Sequence, residues 1–158
     1  FLYSPRPGTP AADRDDQVDP AVASERYSRL IALQDKICAQ DNEKLEGTAV
    51  EVLVSEGQGR KDGATQRITG RARDNRLVHV ALPDTLVEAD RPRPGDMVRA
   101  TVTHGAPHHL LADSALTGGL FDVRRTRAGD AWQEVQRAHN EASDPRVTLG
   151  MPTLRMRS

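Results

Sequence analysis

Between positions 60 and 76 the chain places Arg60, Lys61, Arg67, Arg71, Arg73 and Arg76 against only Asp62 and Asp74. Over the whole 158 residues the charges balance, 22 Lys plus Arg against 23 Asp plus Glu, for a formal net charge of −1. A local excess of cations in a neutral chain fits a phosphate-binding face and excludes a protein that coats nucleic acid uniformly. Arg67, Arg71 and Arg73 share parity, so a regular strand would project them from one side. Gly57, Gly59 and Gly63 frame a loop that can turn backbone N–H groups, with Arg60 and Lys61, toward one phosphate. The competing reading is a set of solvated charges on a half-exposed sheet. This stretch lacks stacking aromatics, so an RNA or DNA face here would work through phosphate and shape contacts.

The remaining chemistry-bearing residues point away from catalysis. His104, His108 and His109 form a histidine cluster, but no cysteine and few carboxylates lie near it, and Pro107 breaks its spacing. They read as rim residues or RNA contacts rather than metal ligands. His79 alternates with apolar neighbours and is either a surface residue or an RNA donor. Cys38 is the single cysteine, so neither a disulfide nor a cysteine-built zinc or iron–sulfur site can close within the chain. On a helix it reads as an inert, buried thiol. Gly57-Gln58-Gly59 lacks the third glycine and the following helix of a dinucleotide loop. No glycine-framed serine sits between a strand and a helix. No catalytic, cofactor-binding or metal-binding residue is expected here.

These residues need elements to hold them. With 37% apolar residues and only two Phe, two Tyr and one Trp, the core must be small and aliphatic. No apolar run approaches the roughly 18 residues of a membrane span, which predicts a soluble chain. Residues 1–19 hold three prolines and a glycine within six positions, which excludes a helix there. Asp19 and Pro20 then offer an N-cap and a first helical residue. Val22, Ala23, Tyr27, Leu30, Ile31, Leu33, Ile37 and Cys38 recur at helical spacing up to about Lys44, and Gly47 ends the run. Such a helix cannot bury its stripe alone and needs another domain or chain.

Beyond Gly47 the period becomes that of strands: 48–54, 66–73, 77–81, 97–103 and a short fifth at 109–112. This predicts a mainly β domain, a small antiparallel barrel of OB type over 47–113, with an SH3-like barrel fitting the same count. From 114 to 158 the pattern dissolves into a mostly disordered tail, apart from a brief helix within 131–142. Phe1 is not Met and no leader precedes it, so the chain reads as a fragment.

The segment Tyr3-Ser4-Pro5-Arg6-Pro7-Gly8-Thr9-Pro10 resembles the end of the radical S-adenosylmethionine domain of methylthiotransferases. Arg26-Tyr27-Ser28-Arg29-Leu30 resembles the helix that follows it. Glu51-Val52-Leu53-Val54, Gly59-Arg60-Lys61, Gly70-Arg71, Asn75-Arg76-Leu77-Val78-His79 and Pro94-Gly95-Asp96 resemble that family's TRAM domain, an RNA-binding barrel. Arg6 favours the branch that acts on tRNA.

The resemblance implies a layout: 1–19 the end of a truncated α/β radical domain, 20–46 a connecting helix, 47–113 the TRAM barrel and 114–158 a flexible tail. It implies a cytoplasmic parent transferase with two [4Fe–4S] clusters and S-adenosylmethionine. That parent would add a methylthio group to C2 of N(6)-isopentenyladenosine beside the tRNA anticodon. This part, lacking the Cys-x-x-x-Cys-x-x-Cys run, would grip the anticodon stem-loop and lack activity alone. Its partners would be that RNA and the missing N-terminal and radical domains, with no membrane. The alternatives are a free-standing TRAM or OB-type RNA-binding module, the TRAM domain of an RNA uracil methyltransferase, and a protein-interaction barrel.

Overall fold

A computed structural model describes residues 2–57 and 66–143. Helix α1 (Pro20–Glu43) begins where Asp19 Oδ1 accepts the backbone N–H groups of Ala21 at 2.8 Å and Val22 at 3.3 Å. These are donors that no helical turn can satisfy. Strands β1 (Ala49–Val54), β2 (Arg67–Ala72) and β3 (Leu77–Ala81) follow, then β4 (Met97–Thr101), β5 (His104–Ala106), β6 (His109–Ala112) and β7 (Phe121–Arg124). Helix α2 (Arg127–Ser143) comes last, and short 3₁₀ turns cover Glu88–Asp90 and Ser114–Thr117.

Alternation builds the core as expected. Val52, Val54, Val78, Val80, Val98, Ala100, Val102, Leu110 and Ala112 are buried and form one aliphatic cluster, with Val50, Ile68, Phe121 and Val123 packed at its margin. Each fully buried valine or leucine contributes roughly 1.5–3 kcal/mol. The domain is therefore mainly β.

The strands lie in one seven-stranded sheet, ordered β5-β6-β3-β2-β1-β4-β7. It departs from the antiparallel barrel expected, because β3 and β6 run parallel and β5 and β7 remain as edges. The cause is a change of partner along residues 97–106. β4 pairs with β1, and Val102 still exchanges hydrogen bonds with Gly47 and Thr48. One residue later the Thr103 N–H donates to Leu111 O, and β5 pairs with β6. The hairpin turn at Pro107-His108 then sends β6 along β3 in the same direction.

The tail expected to be mostly disordered from 114 onward is ordered through 143. β7 adds to β4 in register, with Val98 opposite Val123 and Ala100 opposite Phe121. Two apolar residues on one face are too few to read as a strand, yet they seal the margin of the core. Residues 144–158 lie outside the described residues.

The C-terminal end of α1 docks on β5. Asn42 is buried and donates from Nδ2 to Ala106 O, and Glu46 Oε1 accepts the Gly105 N–H at 2.9 Å. A Cβ on Gly105 would collide with the Asn42 carbonyl, so only glycine permits this approach. The apolar stripe expected on α1 is present but uncovered among the described residues: Leu30 is 61% and Leu33 56% exposed.

Candidate nucleic-acid interface

The four basic residues that lie among the described residues do not form one face. Arg60 and Lys61 lie outside the described residues. Arg67 and Arg71 project from the outer side of β2, whereas Arg73 follows the strand and sits in the turn, so shared parity does not align all three. Arg67 is occupied within the protein. Its Nε and Nη2 form a two-pronged bond with Asp113, at 3.0 and 2.6 Å, and both side chains are mostly buried. Arg76 pairs with Asp74 across the hairpin turn, which Asn75 completes at a φ of 68°.

Arg71 and Arg73 are the exposed cations of this hairpin. Arg71 is held only by the Asn75 carbonyl at 3.1 Å, and Arg73 makes no ion pair or side-chain hydrogen bond among the described residues. Asp74, the acid nearest to them in sequence, is already engaged by Arg76.

Beside Arg71 the same face carries histidine. Thr69 Oγ1 lies 2.9 Å from His79 Nδ1, and the His79 and His109 rings meet edge to face at 5.2 Å. Burial, then the nearby His79, His104 and His108, push the His109 imidazole below its ordinary value. The sequence cluster itself divides. His104 reaches Glu46 at 3.2 Å and His108 lies 3.7 Å from Asp35, both against the α1 side. Among the described residues no three His, Cys, Asp or Glu side chains converge on a metal position.

The electrostatic centre of the domain is Asp96, which the sequence marks only through the stretch Pro94-Gly95-Asp96. Asp96 is fully buried. Its oxygens accept the Arg93 N–H and Nε, both at 3.0 Å, Arg125 Nη1 at 2.9 Å and the Thr126 N–H at 3.0 Å. Burial alone would raise the Asp96 carboxyl, but the bonds from Arg93, Arg125 and Thr126 outweigh it and hold the group well below the carboxylate range. Arg93, raised by Asp96 against its own burial and then by Asp130, also donates to Gln133 at 2.5 Å. Gly129 lies directly over Asp96, where any Cβ would strike the carboxylate. Nothing local in the sequence marks this clasp, because Asp96 lies 29 residues from Arg125.

With α2 fastened in this way, a cleft of about 790 Å³ opens between it and the ends of β1 and β2. Arg91, Arg125, Glu56, Glu88 and Trp132 are among its lining residues.

The donor set does not fit an iron–sulfur cluster. Such clusters need three or four converging thiolates, and Cys38, half-buried on α1, is the only thiol and accepts from Gln34 Nε2 at 3.0 Å.

No protein-family model matches the chain. Curated proteins that share one name nevertheless match it over almost its whole length. A relative from Kineococcus radiotolerans is 59% identical over 157 residues, covering 98% of this chain and 30% of the relative. Relatives from Streptomyces coelicolor and Thermobifida fusca are 52% and 53% identical over 98% and 96% of the chain. All three are named tRNA-2-methylthio-N(6)-dimethylallyladenosine synthase. The chain spans about 30% of the length of these relatives.

Proposed function

We propose that this chain is the C-terminal part of a tRNA-2-methylthio-N(6)-dimethylallyladenosine synthase and serves as its RNA grip. The supporting observation is the β2–β3 hairpin, where Arg71 and Arg73 stand exposed and the adjacent acid is already paired. On this reading the sheet is a TRAM domain, a partly open OB-type barrel. The parallel β3–β6 pair and the partner change along 97–106 support it. The anticodon stem-loop lies against the hairpin, held through its phosphates.

The parent adds the methylthio group to C2 of N(6)-isopentenyladenosine in the cytoplasm, and its two [4Fe–4S] clusters and S-adenosylmethionine bind outside this part. The chain alone is inactive. The exposed stripe of α1 supports a larger parent over a free-standing RNA module, because a lone barrel gains nothing from exposing it. Binding of a stem-loop RNA, followed against salt, tests the grip. Arg71→Ala and Arg73→Ala should each flatten the log–log salt slope by about 0.7–0.9. Unchanged slopes in both variants would remove the hairpin from the interface.

A further inference from the structure

The cleft beside α2 meets the hairpin only at the start of β2, through Arg67, Ile68 and Thr69, and presents a chemistry different from that at Arg71 and Arg73. Trp132, the single tryptophan, lines it, with its indole N–H donated to Glu56 Oε1 at 3.2 Å. That bond joins α2 to the end of β1 and fixes the ring. The helix itself is anchored through Asp130 and Gln133 to Arg93, at 2.9 and 2.5 Å. The aromatic wall is therefore in place before anything binds.

Arg125 and Arg93 line the same cleft, but their donors are consumed by Asp96, by Asp130 and Gln133, and by the Ala89 and Arg91 carbonyls. Arg91 differs. Its guanidinium meets Glu88 only at 3.5 Å, and its side chain is 41% exposed. Glu56, Glu88 and Asp130 also line the cleft. Each already has a partner, Glu56 in Trp132, Asp130 in Arg93 and Glu88 in Arg91, and the 3.5 Å contact to Glu88 leaves Arg91 with donors to spare for a phosphate.

A fixed indole, one loosely held guanidinium and a volume within the usual range for small ligands suit one nucleotide. The base would stack on the indole and the phosphate would lie toward the cation. A duplex offers no free base face, so the occupant must be unpaired. We infer that this cleft seats one unpaired nucleotide of the bound RNA, its base against Trp132 and its phosphate toward Arg91. The inference rests on the RNA-binding reading above and extends it to a segment outside the barrel.

Because Trp132 is the sole tryptophan, its emission reports on the cleft directly. The 158-residue chain is titrated with a fluorescein-labelled stem-loop RNA carrying an unpaired loop, and with a blunt duplex of equal phosphate number. Anisotropy measures binding and indole emission measures stacking. The stem-loop should quench Trp132 and the duplex should leave it unchanged. Trp132→Leu should weaken stem-loop binding about tenfold without altering the salt slope, and Trp132→Phe should restore most of the loss. Arg91→Ala should flatten the slope by about 0.7–0.9.

A stem-loop that binds with unchanged emission, and with equal affinity for wild type, Trp132→Leu and Trp132→Phe, overturns the cleft while leaving the grip intact. Failure of both RNAs to bind overturns the grip and the cleft together. Thermal melts of each variant exclude loss of folding as the cause.

Discussion

Two arginines on one strand, four residues apart, illustrate how far a residue's type is from its role. Arg67 and Arg71 share a face of β2, but Arg67 is bonded to Asp113 and Arg71 is open to a ligand. Arg67→Ala should therefore cost about 1–3 kcal/mol of stability and leave the salt slope of RNA binding unchanged, whereas Arg71→Ala should do the reverse. Urea unfolding and salt titration of the two variants separate these effects. The distinction was not legible in the sequence, because Asp113 lies 46 residues from Arg67 and nothing local marks it as the partner.

Asp96 makes the same point in the core. Its native carboxyl is held below the unfolded value of about 3.9, so the stability it lends is complete above about pH 5 and is lost as pH falls through the native value. Asp96→Asn should destabilise the protein by about 3 kcal/mol at pH 7. The gap between variant and wild type should narrow in urea melts at pH 3.

At the scale of elements, the legible parts were those with many residues in phase. The α1 cap, β3 and β6 appear where alternation and capping place them. β5 has three residues and ends at a proline turn, and β7 offers one buried-side pair, so neither carries a usable period. α2 was anticipated over 131–142 but not in its first turn, where its hold on the sheet is charged and not apolar. The two ends of α1 should also differ on mutation. Leu30→Gln with Leu33→Gln should shift stability by less than about 0.5 kcal/mol, since both side chains are exposed. Asn42→Ala should cost about 1–2 kcal/mol by leaving the Ala106 carbonyl unpaired. Equal losses at the two ends would mean that the stripe, and not the docked end, holds α1.

For the whole molecule, a net charge of −1 conceals a face whose charge depends on pH. His79 and His109 stand on the side of the sheet that carries Arg71 and the Arg67–Asp113 pair, while His104 and His108 turn to Glu46 and Asp35. Burial holds the His109 imidazole below its ordinary value, so its ring adds positive charge there only on acidification. RNA affinity should rise, and the salt slope steepen, as pH falls below the ordinary histidine value of about 6.5. His109→Gln should reduce the change, and a pH-independent slope would exclude these rings from the interface.

The Asp96 clasp also sets an order of events during synthesis. Asp96 is translated 29 residues ahead of Arg125, a delay of about 1.5–6 s at 5–20 residues per second. Throughout that interval the nascent sheet ends at β4, whose outer edge has no partner until β7 arrives. Arg99, projecting from the middle of that strand, places a charge where another nascent chain would otherwise add. The arrival of β7 thus covers the edge of β4 and hands the end of the sheet to a strand of only four residues.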